Sequence, residues 1–281
     1  MLWASARRRP RKFRVTGSER LQAAFPEGRV ALVPYLTAGY PTLEGAYEVG
    51  EAYVEAGADV VEIGMPFSDP LADGPMIQDT TTCALRNGAD LGYCLELASH
   101  FVDRVPVVLL VYYNNVFARG ARRFVDDVSG AGVSGLVIPD LPIDEAAEFR
   151  ALAAERGVAI CPLAAPTTTD ERLDRIAEIA SGFVYCVSVR GVTGVREKLP
   201  SGAIELLRRV RARVSVPVAL GVGISSAKAA VEAASEADGV IIGSKLMQLV
   251  AEGGPQGAGA WLGEVRAVLD RETGVKVGSR D

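Results

Sequence analysis

The stretch Asp59-Val60-Val61-Glu62-Ile63-Gly64-Met65-Pro66-Phe67-Ser68-Asp69-Pro70-Leu71-Ala72-Asp73-Gly74-Pro75 decides the fold. It begins as a short apolar run between Gly57 and Gly64, rich in β-branched residues. That composition predicts a strand buried on both faces, as in a parallel sheet. Glu62 interrupts the run. A carboxylate at such a place costs several kcal/mol unless it is paired, neutral or at the wet end of the strand. The loop that follows holds Pro66, Pro70 and Pro75 together with Asp69 and Asp73. Proline fixes φ, so the loop has lost much of its freedom before it folds. A stiff loop that carries acids to the end of a buried strand is a preorganised site. Asp beside turn residues also caps turns. Asp69 reads as such a cap, Glu62 as chemistry, and Asp73 stands between the two.

Outward from this stretch, strand-length apolar runs alternate with helical patterns. A strand over Val30–Leu36 and a helix over Leu43–Ala56 precede it. Helices over Met76–Asn87 and Leu91–Val102 follow, then a strand over Val105–Tyr112 and a helix over Ala121–Ala131. Next come a strand over Gly135–Pro139, a helix capped by Asp144 that runs to Arg156, and a strand over Val158–Leu163. A helix over Asp170–Ala180, a strand over Phe183–Ser188, a helix over Ala203–Arg213 and a strand over Val216–Gly221 continue the pattern. A helix over Ser226–Ser235, the eighth strand over Asp238–Gly243 with a helix behind it, and a last helix over Ala260–Glu272 complete it. Gly253–Gly259 reads as a loop. Eight β-then-α units in about 240 residues predict an α/β chain, a single-domain (β/α)8 TIM barrel with extra helices. The predicted domain spans 21–272, between a basic extension at 1–20 and a tail at 273–281. The cluster Arg7-Arg8-Arg9-Pro10-Arg11-Lys12 lacks the apolar segment of a secretory signal and reads as solvated.

Composition narrows the chemistry. The 281 residues carry a net charge of −5, which argues against a nucleic-acid partner, and 49 % hydrophobic residues, enough for a large core. No apolar run is long enough to predict a membrane span. Cys83, Cys94, Cys161 and Cys186 form no C-x-x-C pair and read as reduced thiols of a cytoplasmic protein. His100 is the single histidine, placed at a helix end or on the surface. It excludes a His-rich metal site and argues against a Ser-His-Asp triad. Acid–base work then falls to carboxylates, lysine, tyrosine or cysteine.

In a barrel of this kind, function sits at the C-terminal ends of the strands. Glu62 and Asp73 can then face one pocket mouth. Tyr35, Tyr112, Asp140 and Tyr185 lie at or near the ends of strands one, three, four and six. Aromatics around a mouth suit a planar apolar ligand, and a tyrosine near a strand end equally fills core. Glycines recur at three strand exits: Gly191-Val192-Thr193-Gly194, Gly221-Val222-Gly223-Ile224-Ser225, and Gly243-Ser244. Such turns, with a helix N-terminus, let backbone N–H groups approach a phosphate. The long polar loop Val189–Pro200 reads either as a lid or as a mobile connection.

The chain is similar to the tryptophan synthase α-subunit family from about Leu21 to the last helix. The motif from Glu62 to Gln78 carries the resemblance. Val33-Pro34-Tyr35-Leu36-Thr37-Ala38-Gly39, Asp140-Leu141-Pro142 and the three glycine turns support it. The resemblance implies a lyase that cleaves indole-3-glycerol phosphate by a retro-aldol step into indole and glyceraldehyde 3-phosphate, with no metal and no organic cofactor. It implies that Glu62 is the general acid–base and that Asp73 stabilises the protonated indole ring. Tyr35, Leu110, Tyr112, Leu163 and Tyr185 match the pocket lining, and Thr193 a lid residue that meets Asp73. Gly194, Gly223, Gly243 and Ser244 match phosphate contacts. The resemblance also implies a pyridoxal-phosphate β subunit as partner in an α2β2 heterotetramer, docked near Pro66–Pro70 and Asn114–Phe117, with indole passed along a tunnel for L-tryptophan synthesis. Asn115, Pro139, Val222 and Lys245 depart from the residues common at their positions. A lyase that works without a partner and a barrel that only binds a phosphate ligand are the competing readings, and a flavin-binding barrel has the phosphate turns alone in its favour.

Overall fold

The computed structural model describes residues 15–187, 199, 202–221 and 223–273. Nine short parallel strands form the sheet: β1 Ala31–Thr37, β2 Val61–Gly64, β3 Val107–Leu110, β4 Gly135–Val137, β5 Ala159–Ile160, β6 Leu163–Ala164, β7 Val184–Cys186, β8 Val218–Leu220 and β9 Gly239–Ile242. β1 pairs with both β2 and β9, so the first strand closes onto the last. β5 pairs with β4, and β6 with β7. These two pieces are halves of one barrel strand, the fifth, expected unbroken over Val158–Leu163. Pro162 lies between them and has no N–H to give a ladder.

The break coincides with a change of register. From Tyr35 the paired positions run Glu62, Val108, Gly135 and Ala159. Taken up again at Leu163, four residues on, they run Tyr185, Ala219 and Gly239 back to Ala31, four residues below Tyr35. The two four-residue slips make a stagger of eight, the value of a TIM barrel.

Side chains alternate along each strand. Val60 and Val108 point into the barrel, and Val61 and Ile63 point out to the helices. Glu62 therefore shares the inner face with Val60. Among the described residues eleven helices lie outside or below the strands, the first five being α1 Gly17–Ala23, α2 Leu43–Glu55, α3 Pro75–Arg86, α4 Leu91–Phe101 and α5 Tyr113–Arg119. α1, Gly17–Ala23, seals the floor. Thr16 and Glu19 form a reciprocal capping box at its start. Leu21 and Phe25 enter the barrel interior with Val33, Val137 and Phe183. A Cβ on Gly239 would stand 2.5 Å from the Phe25 ring, so that strand position has to be bare.

Four expectations need correction. α1 begins at Gly17, inside the stretch read as a solvated extension. A helix not foreseen, α5 Tyr113–Arg119, follows β3. Asp144 caps nothing: it lies in a 3-10 turn, Ile143–Glu145, ahead of helix Ala146–Glu155, and pairs with Arg175 instead. Gly253–Gly259 is no loop. Helix Ser244–Thr273 breaks only at Gly254, whose φ of 69° only glycine adopts readily, and restarts at Pro255, where a helix start tolerates proline.

The last helix is tied back to the barrel by Arg266, which is 6 % exposed. It donates to the Val30 carbonyl at 2.9 Å and pairs with Asp59 at 3.3 Å and with Asp270. Asp59 in turn accepts from the Leu32 N–H at 2.8 Å and pairs with Arg29.

Leu21→Ala is expected to lower the free energy of unfolding by about 3 kcal/mol, because the floor cannot collapse into the void. Urea denaturation read by circular dichroism checks this, and a loss below about 1 kcal/mol would show that α1 does not seal the core.

Candidate active site

Glu62 stands on β2 with its carboxyl inside the barrel, 1 % exposed. Among the described residues neither carboxylate oxygen has a hydrogen-bond partner. Burial, and after it the nearby charge of Asp73, push its pKa up to about 8. A group that holds a proton near neutrality and can release it has the property that a general acid–base requires.

Asp73 reaches the same space from the rigid loop. Its Oδ2 accepts a hydrogen bond from the Tyr112 hydroxyl at 3.0 Å. The Tyr112 oxygen itself accepts from the Ala72 N–H at 3.1 Å. The loop is pinned from below: the Asp73 N–H donates to the Pro70 carbonyl at 3.0 Å, and Gln78 Nε2 donates to the Asp73 carbonyl at 3.0 Å. Phe67 stacks on Tyr112 at 5.1 Å between centroids, so both ends of the loop meet the residue just ahead of helix Tyr113–Arg119. Asp69 stays outside the site. It is exposed and accepts from the Ser68 hydroxyl at 2.5 Å, in keeping with a turn role.

The expected lining residues converge. Tyr35 and Tyr185 are buried, and Leu110 and Leu163 pack against the interior cluster that contains Tyr185. Burial first, and then the Asp73 charge, raises the Tyr35 pKa; burial and then Glu62 raise that of Tyr185. Two glycines make room for these rings. A Cβ on Gly64 would lie 2.0 Å from the Tyr35 hydroxyl, and one on Gly221 would lie 2.0 Å from the Tyr185 ring. Gly221 thus serves the aromatic wall rather than the phosphate turn to which the sequence reading joined it. Sequence reasoning also passed over Cys161, Thr37 and Thr80. Cys161 lies in the barrel interior, and burial pushes its thiol up to about 12, with Glu62 adding to the shift. The only sequence signal for Cys161 was its inward register, which needs the fold to be read.

At the exits of β8 and β9, Gly223 adopts φ +86° and is exposed, while Gly243 lies beside the Tyr35 ring. Ser244 opens helix Ser244–Thr273, so its first N–H groups have no intrahelical acceptor. Ser226 caps the neighbouring helix, Ala227–Ala234, by accepting from the Ala229 N–H. These ends form a surface suited to an anion. Lys245 beside them turns along its own helix to Gln248 at 3.5 Å. Thr193, Gly194 and Val222 lie outside the described residues, and with them most of the loop Val189–Pro200. Asp140 accepts from the Tyr113 N–H at 2.7 Å and so caps α5. Pro139 borders a separate cavity of about 430 Å³ at the break in the fifth strand, which Leu163 also lines. His100, in the last turn of helix Leu91–Phe101, faces Glu51 on the surface. All four cysteines are free thiols, three of them buried. Among the described residues no group of three His, Cys, Asp or Glu side chains could hold a metal ion. No helix among them is long and apolar enough to cross a membrane.

Comparison with known proteins agrees with this architecture. The family model described as tryptophan synthase alpha chain matches residues 21–268. The alpha chain of Xanthomonas euvesicatoria is 43 % identical over 266 residues, covering 90 % of this chain and 99 % of its own length. That of Roseiflexus is 46 % identical over 231 residues, covering 81 % and 88 %. A solved structure of Mycobacterium tuberculosis tryptophan synthase superposes with a TM-score of 0.83 at 38 % identity, covering 89 % of this chain and 98 % of the other. A chain of the α2β2 complex from Pyrococcus furiosus does so with a TM-score of 0.78 at 37 % identity, covering 88 % and 98 %.

The raised pKa of Glu62 fixes a sign. Its proton is held more tightly folded than unfolded, so the stability it allows is complete below about pH 4.5 and is lost as pH rises through about 8. Glu62→Gln removes that loss. Relative to wild type, the variant is expected to gain up to roughly 4 kcal/mol between pH 5 and pH 9. Urea titrations at both pH values measure it, and a difference that stays flat with pH would contradict the raised pKa.

Proposed function

This chain belongs to the tryptophan synthase alpha chain family, and on that premise we propose that Glu62 and Asp73 carry its reaction between them. The reaction is the retro-aldol cleavage of indole-3-glycerol phosphate to indole and glyceraldehyde 3-phosphate, the indole passing to a β subunit for L-tryptophan synthesis. One observation carries the assignment of roles. Two carboxyl groups share one pocket in opposite settings: Glu62 is buried with no partner, and Asp73 is held by a phenol donor.

In the proposed scheme Glu62 enters protonated and places its proton on indole C3. The ring nitrogen then bears positive charge, which the Asp73 carboxylate stabilises more than it does the neutral substrate. Glu62, now ionised, removes the proton from the hydroxyl on the adjacent side-chain carbon. The bond from that carbon to C3 breaks, its electrons return to the ring, and the carbon becomes the aldehyde. The proton count closes, since Glu62 ends protonated as it began. The scheme moves protons only and calls on no metal or organic cofactor. Tyr35, Leu110, Tyr112, Leu163 and Tyr185 would hold the ring; Gly223, Gly243 and Ser244, with Gly194 beyond the described residues, the phosphate. Thr193 would close over Asp73.

The proposed docking surface for the β subunit lies next to this pocket. Leu71 on the acidic loop is 89 % exposed and Phe117 on α5 is 75 % exposed. Large apolar side chains left in solvent beside an active site mark an interface. We take the barrel as the catalytic domain, read from the sequence as 21–272 and extended by α1 to Gly17, acting in the cytoplasm, where free thiols stay reduced.

Indole release from indole-3-glycerol phosphate, measured alone and with a β subunit, tests the proposal. Glu62→Gln and Asp73→Asn are each expected to lower kcat by about 10²- to 10⁴-fold, and the partner to raise wild-type activity. Full activity in either variant would overturn its role. Fast cleavage with no partner effect would mean a lyase that works alone.

A further inference from the structure

Three buried hydroxyls line up behind the pocket. Tyr35 Oη lies 3.3 Å from Thr37 Oγ1, Thr37 Oγ1 lies 2.8 Å from Thr80 Oγ1, and Thr80 Oγ1 donates to the Ile77 carbonyl at 2.9 Å. Tyr35 is 6 % exposed, Thr37 0 % and Thr80 1 %, so water does not offer these groups an alternative. Each hydroxyl has one proton. The Ile77 carbonyl can only accept, so it takes the proton of Thr80. Thr37 must then donate to Thr80, and Tyr35 to Thr37. This is the one arrangement that makes all three contacts hydrogen bonds. It commits the Tyr35 proton inward and leaves the phenolic oxygen an acceptor on its other side.

That oxygen faces the site. It lies over the bare Cα of Gly64 and within electrostatic range of Asp73 and Glu62. The root of the same side chain lies beside Gly243 at the proposed phosphate turn. Tyr35 therefore spans the distance between the phosphate end and the carboxyl end of the pocket. Resting on the reading of this pocket given above, we propose that the Tyr35 oxygen accepts a hydrogen bond from a hydroxyl of the three-carbon chain that joins the indole ring to the phosphate. Asp73, an ionised acceptor, is left to the ring nitrogen. Tyr35 is then a specificity-determining contact, and Thr37 and Thr80 are positioning residues that set its polarity.

The test compares two ligands on the complex with its β subunit. One is indole-3-glycerol phosphate; the other is indole-3-propanol phosphate, which has the same ring and phosphate and no side-chain hydroxyl. Tyr35→Phe and Thr37→Val are each expected to raise KM for the substrate about five- to tenfold. The inhibition constant of the hydroxyl-free compound should change less than about twofold. Thr37→Ser, which keeps the acceptor, should restore KM, and the double variant Tyr35→Phe/Thr37→Val should lose no more than either single one. Equal losses for both ligands would reduce Tyr35 to packing and overturn the inference, as would no loss for either. Neither result touches the roles of Glu62 and Asp73, which fail separately if Glu62→Gln cleaves at the wild-type rate.

Discussion

An unpartnered carboxyl group inside a closed barrel is the constraint on which the rest of this structure depends. Among the described residues neither oxygen of Glu62 finds a donor, and the wall around it is apolar or aromatic. Ionising it there is costly, and the cost returns as a proton held near neutrality. Such a site persists only where the surroundings do not relax around it. Here the strand pairing closes through β1 and β9, the floor is filled by Leu21 and Phe25, and Arg266 ties the last helix to the loop ahead of β2. These features lie away from Glu62, and they hold the strand that carries it.

The second carboxyl group is placed by a different device. Asp73 sits on a loop, and a loop is ordinarily the mobile part of a barrel. Three prolines, the Gln78 contact and the stack of Phe67 on Tyr112 make this one stiff. The Tyr112 hydroxyl then gives Asp73 a hydrogen-bond donor. The pocket separates its two acids by environment alone: one is starved of partners and the other is supplied.

Much of this was legible in the sequence because it depends on local chemistry. Strand and helix order follows from apolar periodicity, and Glu62 was conspicuous as a charge in a buried run. What escaped needed the third dimension. Asp144 has the composition of a cap, yet Arg175, thirty-one positions on, takes its carboxylate. The split of the fifth strand at Pro162 follows from the stagger of the whole barrel, which no single strand encodes. Gly253 to Gly259 has loop composition, yet one break at Gly254 absorbs the turn and the helix resumes. α5 was missed because its seven residues carry too little periodicity to register. The phosphate-loop expectations at Thr193 and Gly194 lie outside the described residues.

Glycines at strand exits show why residue type alone does not assign a role. Gly221 and Gly223 are two positions apart and read as one phosphate turn in sequence. Gly221 is bare because the Tyr185 ring occupies the place of its Cβ. Gly223 is exposed and has a positive φ, which is the property a backbone needs to turn its N–H groups toward an anion. The same division holds at Gly64, which yields to Tyr35, and at Gly243, where a Cβ would meet only ordinary contact. On the proposed reading the aromatic wall and the anion turn alternate along the strand exits, which suits a ligand with a planar end and a charged end.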